Sequence, residues 1–261
     1  MALVRPFIAS GFDQAPDDVR RGVARGLSDI ECPYLGLRPI GDGVPWLQLV
    51  MPGQIEPSAD AAALIHALGH EFTPLAAKRL HDDQLLGLAV SSPDILEEAI
   101  AHALDNDFDV LLIDASRRLG APWAELSGPP DMTMMRDAIR ILRRMGRGED
   151  VDLVYFGGLR SGTDAAKVIA LGAMAAVFGV PLGIAAGGSI SDSHDMAFTA
   201  DLAEEDRAQA VANIIKASTG EASMMARCTG KTNLQNLEPE DLRSLTLATE
   251  AASGIILAGR R

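Results

Sequence analysis

The chain has 261 residues, 48% of them hydrophobic and only 4% aromatic, with a formal net charge of −13 and a pI near 4.7. That length suits one barrel-sized domain around a large aliphatic core. The acidity excludes a general nucleic-acid or anionic-membrane surface, which needs clustered Lys and Arg.

Short aliphatic runs alternate with longer amphipathic ones. Leu3 to Ser10 reads as a first strand, followed by a helix from Pro16 to Ser28. Tyr34 to Ile40 and Trp46 to Met51 read as the second and third strands, Ala59 to Leu68 as a helix, and Glu71 to Pro74 as a very short fourth strand. Leu85 to Ser91 is a fifth strand, with a helix from Pro93 to Asn106 opened by Ser92. Asp109 to Ala115 is a buried sixth strand ending in an acid. A helix from Pro130 to Met145 follows; its basic positions between Arg136 and Arg147 have helical spacing and read as a solvated face. Asp152 to Phe156 and Ala175 to Val180 are the seventh and eighth strands, with a helix from Thr163 to Leu171 between them. Helices over Glu204 to Thr219, Gly220 to Arg227 and Pro239 to Ala252 complete the chain. Alternation of strand and helix means parallel strands with right-handed crossovers. Eight strands predict a closed (β/α)8 barrel with a C-terminal helical extension, residues 1–261 forming one domain; without the short fourth strand, an open doubly wound sheet is the competitor.

The loops at the strand ends carry the candidate chemistry. After the seventh strand comes Gly157-Gly158-Leu159-Arg160-Ser161-Gly162-Thr163-Asp164. Glycines let a ligand approach the backbone, and the following helix N-terminus adds unpaired donors, together an anion site. Arg160 can neutralise a phosphate, while Ser161 and Asp164 also fit a helix cap. Gly179, after the eighth strand, offers the other half of a cradle, although Pro181 has no N–H to donate. In Asp192-Ser193-His194-Asp195 the histidine between acids is a candidate proton donor, or a solvated loop residue in a segment that can act as a lid. Asp13 and Gln54 lie where barrel strands end and can face a substrate.

Other groupings are weaker. His66 and His70, four apart on a predicted helix and near Glu71, His81, Asp82 and Asp83, have a spacing that can make a metal site. No third ligand is evident, so no metal is expected. Cys32 and Cys228, the only cysteines, suit a reducing compartment and are too few for an iron–sulfur cluster. With no signal-type stretch after Met1-Ala2-Leu3 and no apolar run long enough to span a bilayer, the expected location is the cytoplasm.

Phe156-Gly157-Gly158-Leu159-Arg160-Ser161-Gly162-Thr163-Asp164-Ala165-Ala166-Lys167 resembles the flavin-domain loop of the large glutamate synthase subunit, which contributes to FMN phosphate binding. Gly230-Lys231-Thr232-Asn233 and Asn236-Leu237-Glu238-Pro239-Glu240-Asp241-Leu242 resemble the tail of glutamate synthase-related proteins. The match covers roughly residues 109 to 259. The resemblance implies that Gly157, Gly158, Arg160, Ser161, Gly162 and in part Gly179 hold a phosphate, and that Asp114 lies near the flavin-side pocket. The chain also departs from the family. Ser116 to Ala121 replace its GGTGA loop, and Leu86 to Ser91 lack its flavin-facing lysine. The clustered cysteines are absent, and Met1-Ala2-Leu3 carries no amidotransferase nucleophile.

The expectation that follows is an FMN- or phosphate-binding oxidoreductase subunit acting on amino-acid or imine substrates. Electrons or ammonia would come from partner subunits, and the chain is expected to self-associate or dock on another subunit. The alternative is a flavin-less barrel, serving as a scaffold or regulatory subunit or as a non-redox enzyme on a phosphorylated metabolite.

Overall fold

A strand buried on both faces reads as a continuous aliphatic run, and eight such runs organise this chain. In the computed structural model, which describes residues 3–260, they are β1 (Phe7–Ser10), β2 (Tyr34–Gly36), β3 (Trp46–Val50), β4 (Ala63–Ala67), β5 (Leu85–Val90), β6 (Val110–Asp114), β7 (Asp152–Phe156) and β8 (Ala175–Phe178). All pair in parallel in sequence order, and β8 pairs with β1 through Phe7↔Ala176 and Ile8↔Val177, which closes the barrel. Along each strand, alternate residues enter the barrel or face the surrounding layer. Ile8, Leu47, Ile65, Leu112, Val154 and Val177 fill the interior, while Phe7, Leu64, Leu88, Ile113, Tyr155 and Phe178 belong to the outer core.

The helices are α1 (Asp17–Ser28) after β1, α2 (Leu96–Asp105) after β5, α3 (Met132–Met145) after β6 and α4 (Gly162–Ala170) after β7. After β8 come α5 (Val180–Ala185), an antiparallel hairpin of β9 (Gly188–Ile190) and β10 (Met196–Phe198), α6 (Glu204–Cys228) and α7 (Leu247–Ser253). Among the described residues no helix is long and apolar enough to cross a membrane. The reading of Met1 and Ala2 lies outside the described residues.

The structure corrects one region substantially. The predicted helix from Ala59 to Leu68 contains β4, and residues 71–74 form no strand. The alanines in Ala61-Ala62-Ala63-Leu64-Ile65-His66-Ala67 suggest a helix, but a short apolar run has no periodicity to separate the two forms. Pairing with β3 (Leu49↔Ile65) and β5 (Ile65↔Gly87) decides for the strand. The eight-strand count stands with a different fourth member. The two helices predicted over residues 204–227 are one continuous α6, with Gly220 facing open space. The predicted helix over residues 239–252 is a 3-10 turn at Pro239–Asp241 followed by α7.

Helix α6 lies against both α1 and α4. A Cβ at Gly26 would fall 2.4 Å from the Ala208 carbonyl oxygen, and one at Gly162 would fall 2.0 Å from that of Ser218. Both contacts require glycine.

Candidate functional site

In a parallel barrel the catalytic and binding loops gather at the C-terminal ends of the strands. Here that end is covered by the segment between β6 and α3. Asp114, fully buried at the end of β6, accepts hydrogen bonds from Ser91 Oγ (2.7 Å), Ser116 N (2.9 Å), Ser116 Oγ (2.5 Å) and Leu119 N (2.9 Å). These bonds turn the chain back over the barrel. Ala124 and Leu119 then pack on the interior cluster beside Leu49 and Phe156. Trp123 lies edge-on to Phe12, with ring centroids 5.3 Å apart, and tilted against Phe198 at 5.9 Å. It adopts a left-handed φ of 45°, a conformation rare for a bulky residue that the surrounding packing must sustain. Gly11 makes room for its ring, since a Cβ there would lie 2.8 Å from the indole. The space left at the barrel mouth, bordered by Ser10, Asp13, Leu35, Trp123 and Glu125, is about 40 Å³.

Beside this plug, the turns after β7 and β8 form a cradle. Gly158, with a φ of 62°, turns its backbone toward the site, and Gly179 begins α5. The occupant is the carboxylate of Glu125. Its Oε2 accepts from Val180 N at 2.9 Å, the one hydrogen bond to this carboxyl among the described residues, and the nearby Gly179 and Gly158 N–H groups favour its ionised form. A Cβ at Gly179 would fall 2.1 Å from Oε2, so only glycine admits this contact. Burial pushes the Glu125 carboxyl up to about 7; the three backbone donors oppose the shift, and nearby Asp114 adds to it. Glu125 Oε1 and the adjacent Ser10 Oγ are buried without a hydrogen-bond partner.

The start of α4 is likewise satisfied from within. Ser161 caps the helix, its Oγ accepting from Asp164 N at 3.3 Å, and Arg160 N donates to Asp164 Oδ2 at 3.2 Å. Gly162 N donates to Glu221 Oε2 of α6 at 2.8 Å, and Thr163 Oγ1 donates to the other oxygen of that carboxylate. Gly158 and Gly179 thus converge on one anion, whereas Ser161 and Gly162 serve helix capping and the α6 contact. Gly157 packs tightly: a Cβ there would lie 2.8 Å from that of Ala115. The Arg160 side chain is 86% exposed, with Nε 3.9 Å from Asp164. It borders a groove of about 480 Å³ outside the cradle, lined also by Leu126, Leu159, Pro181, Ile184 and Ile190.

The remaining candidates lie apart from the cradle or support the loops. His194 sits in the exposed turn of the β9–β10 hairpin with a φ of 59°, its N–H donating to Ser191 O at 3.0 Å. Asp13 accepts from Leu37 N (3.0 Å), Arg38 N (3.4 Å) and the Tyr34 hydroxyl (3.3 Å), tying the β1 and β2 loops together; burial raises its pKa. Gln54 is exposed in a turn after β3. His66 is on β4, buried, with its pKa lowered by burial, and His70 is exposed in the loop beyond, so the shared helix face does not exist. Among the described residues no group of three or more His, Cys, Asp or Glu side chains is placed to hold a metal. Cys32 is buried, its thiol pushed up to about 12 by burial, and Cys228 is exposed at the end of α6.

Sequence reading missed Glu125 and Glu221, the two acids that fill the anion positions. For Glu125 the signal was the altered loop after β6, where glycines of the resembling family give way to larger side chains. For Glu221, in the interior of a long helix, there was none.

FMN would require free donors for its phosphate and a slot for its ring, and small-molecule sites measure about 300–1,000 Å³. The donors at Gly158, Gly179 and Val180 face Glu125, and the mouth holds about 40 Å³. In this arrangement the residues present do not fit the cofactor.

Comparison with known proteins fits this barrel. Residues 97–232, just over half of the chain, match the family model described as a conserved region in glutamate synthase. A glutamate synthase large subunit-like protein of Rhizobium meliloti (strain 1021) is 34% identical over 165 residues, covering 52% of this chain and 37% of that protein. The chain thus corresponds to little more than a third of that curated relative. The flavin-binding domain of baker's yeast flavocytochrome b2 superposes with a TM-score of 0.56 at 16% identity, over 90% of this chain and 68% of that one. Mandelate oxidase with 3,3-difluoro-2-hydroxy-3-phenylpropionic acid gives 0.57 at 15% identity, over 88% and 76%. At such identities the likeness is one of fold alone. With half of its length inside the family model, the chain belongs to the glutamate synthase family.

Proposed function

We propose that this chain is a phosphate-cradle barrel of an oxidoreductase related to glutamate synthase. In this reading it takes FMN at the ends of β7 and β8 once the segment between β6 and α3 has moved aside. The observation that carries it is the 2.9 Å hydrogen bond from Val180 N to the Glu125 carboxyl, with the backbone N–H groups of Gly158 and Gly179 near enough to favour its ionised form. Backbone N–H groups gathered in this way suit an anion, and in this reading the Glu125 carboxyl holds the place of the phosphate. The substrates in this reading are amino acids or their imines, and partner subunits supply electrons or ammonia. The subunit-like relative supports the partner assignment, as do the exposed Met224, Leu245 and Leu247, which offer apolar contact on α6 and the tail.

A second reading has its own support. The filled mouth favours a flavin-less barrel that acts as a scaffold or regulatory subunit. Titration with FMN and with riboflavin, which lacks the phosphate, separates the two. The first reading expects quenched FMN fluorescence and at least about tenfold weaker riboflavin binding, the margin of one lost charged contact. Binding of neither flavin supports the second reading, and equal binding of both contradicts the phosphate cradle.

A further inference from the structure

The segment that carries Glu125 is built as a separable unit. Its ends are pinned together where Asp131 N donates to Ala115 O at 2.8 Å. The backbone bonds between them are local: Ala121 N to Arg118 O, Leu126 N to Trp123 O and Ser127 N to Ala124 O. A compact loop with closed ends and internal bonding can lift without unzipping the strands beneath it. It is held to the barrel by Asp114, which accepts from Ser116 N, Ser116 Oγ and Leu119 N, and by side-chain contacts. Leu119 and Ala124 rest on the interior core, Trp123 wedges between Phe12 and Phe198, and Glu125 reaches the cradle.

Glu125 also forms the wall between two spaces, bordering both the 40 Å³ pocket at the barrel mouth and the 480 Å³ groove beside Arg160. Its withdrawal would join them and expose the cradle donors at the same time. The carboxylate is a poor tenant of this position. Burial outweighs its three backbone donors and leaves its pKa near 7, while Oε1 and Ser10 Oγ remain unpaired. A phosphate carries more acceptor oxygens than a carboxylate, and Arg160 stands at the rim of the groove to balance its charge.

We infer that Glu125 is an internal competitor for phosphate: segment 116–130 closes the barrel mouth by seating this carboxylate on the cradle, and a phosphate-bearing ligand binds by displacing it. The inference rests on the reading that the cradle is a phosphate site. It makes Glu125 the residue that sets the affinity of that site.

The test uses the full chain and its Glu125→Ala and Glu125→Gln variants. Thermal melting is followed with added acetate, inorganic phosphate or FMN, with chloride at matched ionic strength as the control. Glu125→Ala leaves the cradle donors unpaired, so acetate and phosphate should raise its melting temperature by several degrees while leaving the parent chain unchanged. FMN should bind Glu125→Ala at least about tenfold more tightly than the parent, and Glu125→Gln, of the same shape, should fall between them. Ligand binding should also speed tryptic cleavage after the exposed Arg117 and Arg118 as the segment lifts. FMN binding of equal strength in all three proteins overturns the inference but leaves the phosphate cradle standing. Binding in none of them, with no anion rescue of Glu125→Ala, overturns both. If Glu125→Ala does not fold, the comparison of Glu125→Gln with the parent decides.

Discussion

The Glu125 carboxylate accepts a hydrogen bond of 2.9 Å from the backbone N–H of Val180, 55 residues further along the chain. This one contact joins the segment after β6 to the turn after β8 and places a carboxyl group beside the backbone donor of Val180. With Trp123 it narrows the barrel mouth to a space of about 40 Å³.

The contact should make stability depend on pH. The folded pKa of Glu125, about 7, lies above its ordinary value of 4.5 because burial, reinforced by Asp114, favours the protonated form. The folded state therefore binds the proton more tightly than the unfolded one. The resulting stabilisation is full below about pH 4.5 and is lost as pH rises through 7. At 1.36 kcal/mol per pKa unit the loss is about 3 kcal/mol by pH 8. Glu125→Gln should abolish this component, so denaturant titrations of parent and variant should diverge between pH 5 and pH 8 with the variant the more stable at pH 8. Parallel profiles would contradict the burial of this charge.

Asp114 should matter through the loop it folds. Replacing it with Ala removes the acceptor for Ser91, Ser116 and Leu119 and leaves buried donors unpaired. The expected cost is about 2–4 kcal/mol, with faster tryptic cleavage after Arg117 and Arg118. A variant with native stability and native protease resistance would refute this role.

Gly162 belongs to a packing contact in this structure. Its Gly162→Ala variant would place a Cβ 2.0 Å from the Ser218 carbonyl oxygen, forcing α4 and α6 apart. A loss of about 1–3 kcal/mol is expected, read as a lower melting temperature. The ratio of FMN to riboflavin affinity should not change, because the N–H of Gly162 already serves Glu221. A stable variant with an altered ratio would return Gly162 to the phosphate site.

Much of this architecture was legible in the sequence, and the rest was hidden for definable reasons. β6 and β7 announce themselves as Val-Leu-Leu-Ile and Leu-Val-Tyr-Phe runs, and the Gly157-Gly158 turn marks the end of the latter. β4 was obscured because its alanines favour a helix locally while its pairing partners decide for a strand. The cap at Ser161 is a local pattern and could be read. The partners of Val180 and Gly162, by contrast, come from 55 and 59 residues away and depend on how the loop after β6 and helix α6 fold back. Spacing along a chain carries no record of such returns, so Gly162 reads as a ligand position when its donor is already taken.

The most direct measurement of the central claim is a crystal structure of the Glu125→Ala variant grown with inorganic phosphate. A phosphate is expected within hydrogen-bond distance of the backbone nitrogens of Gly158, Gly179 and Val180, in the place that the Glu125 carboxyl holds in the parent chain. An empty cradle at saturating phosphate would contradict the assignment.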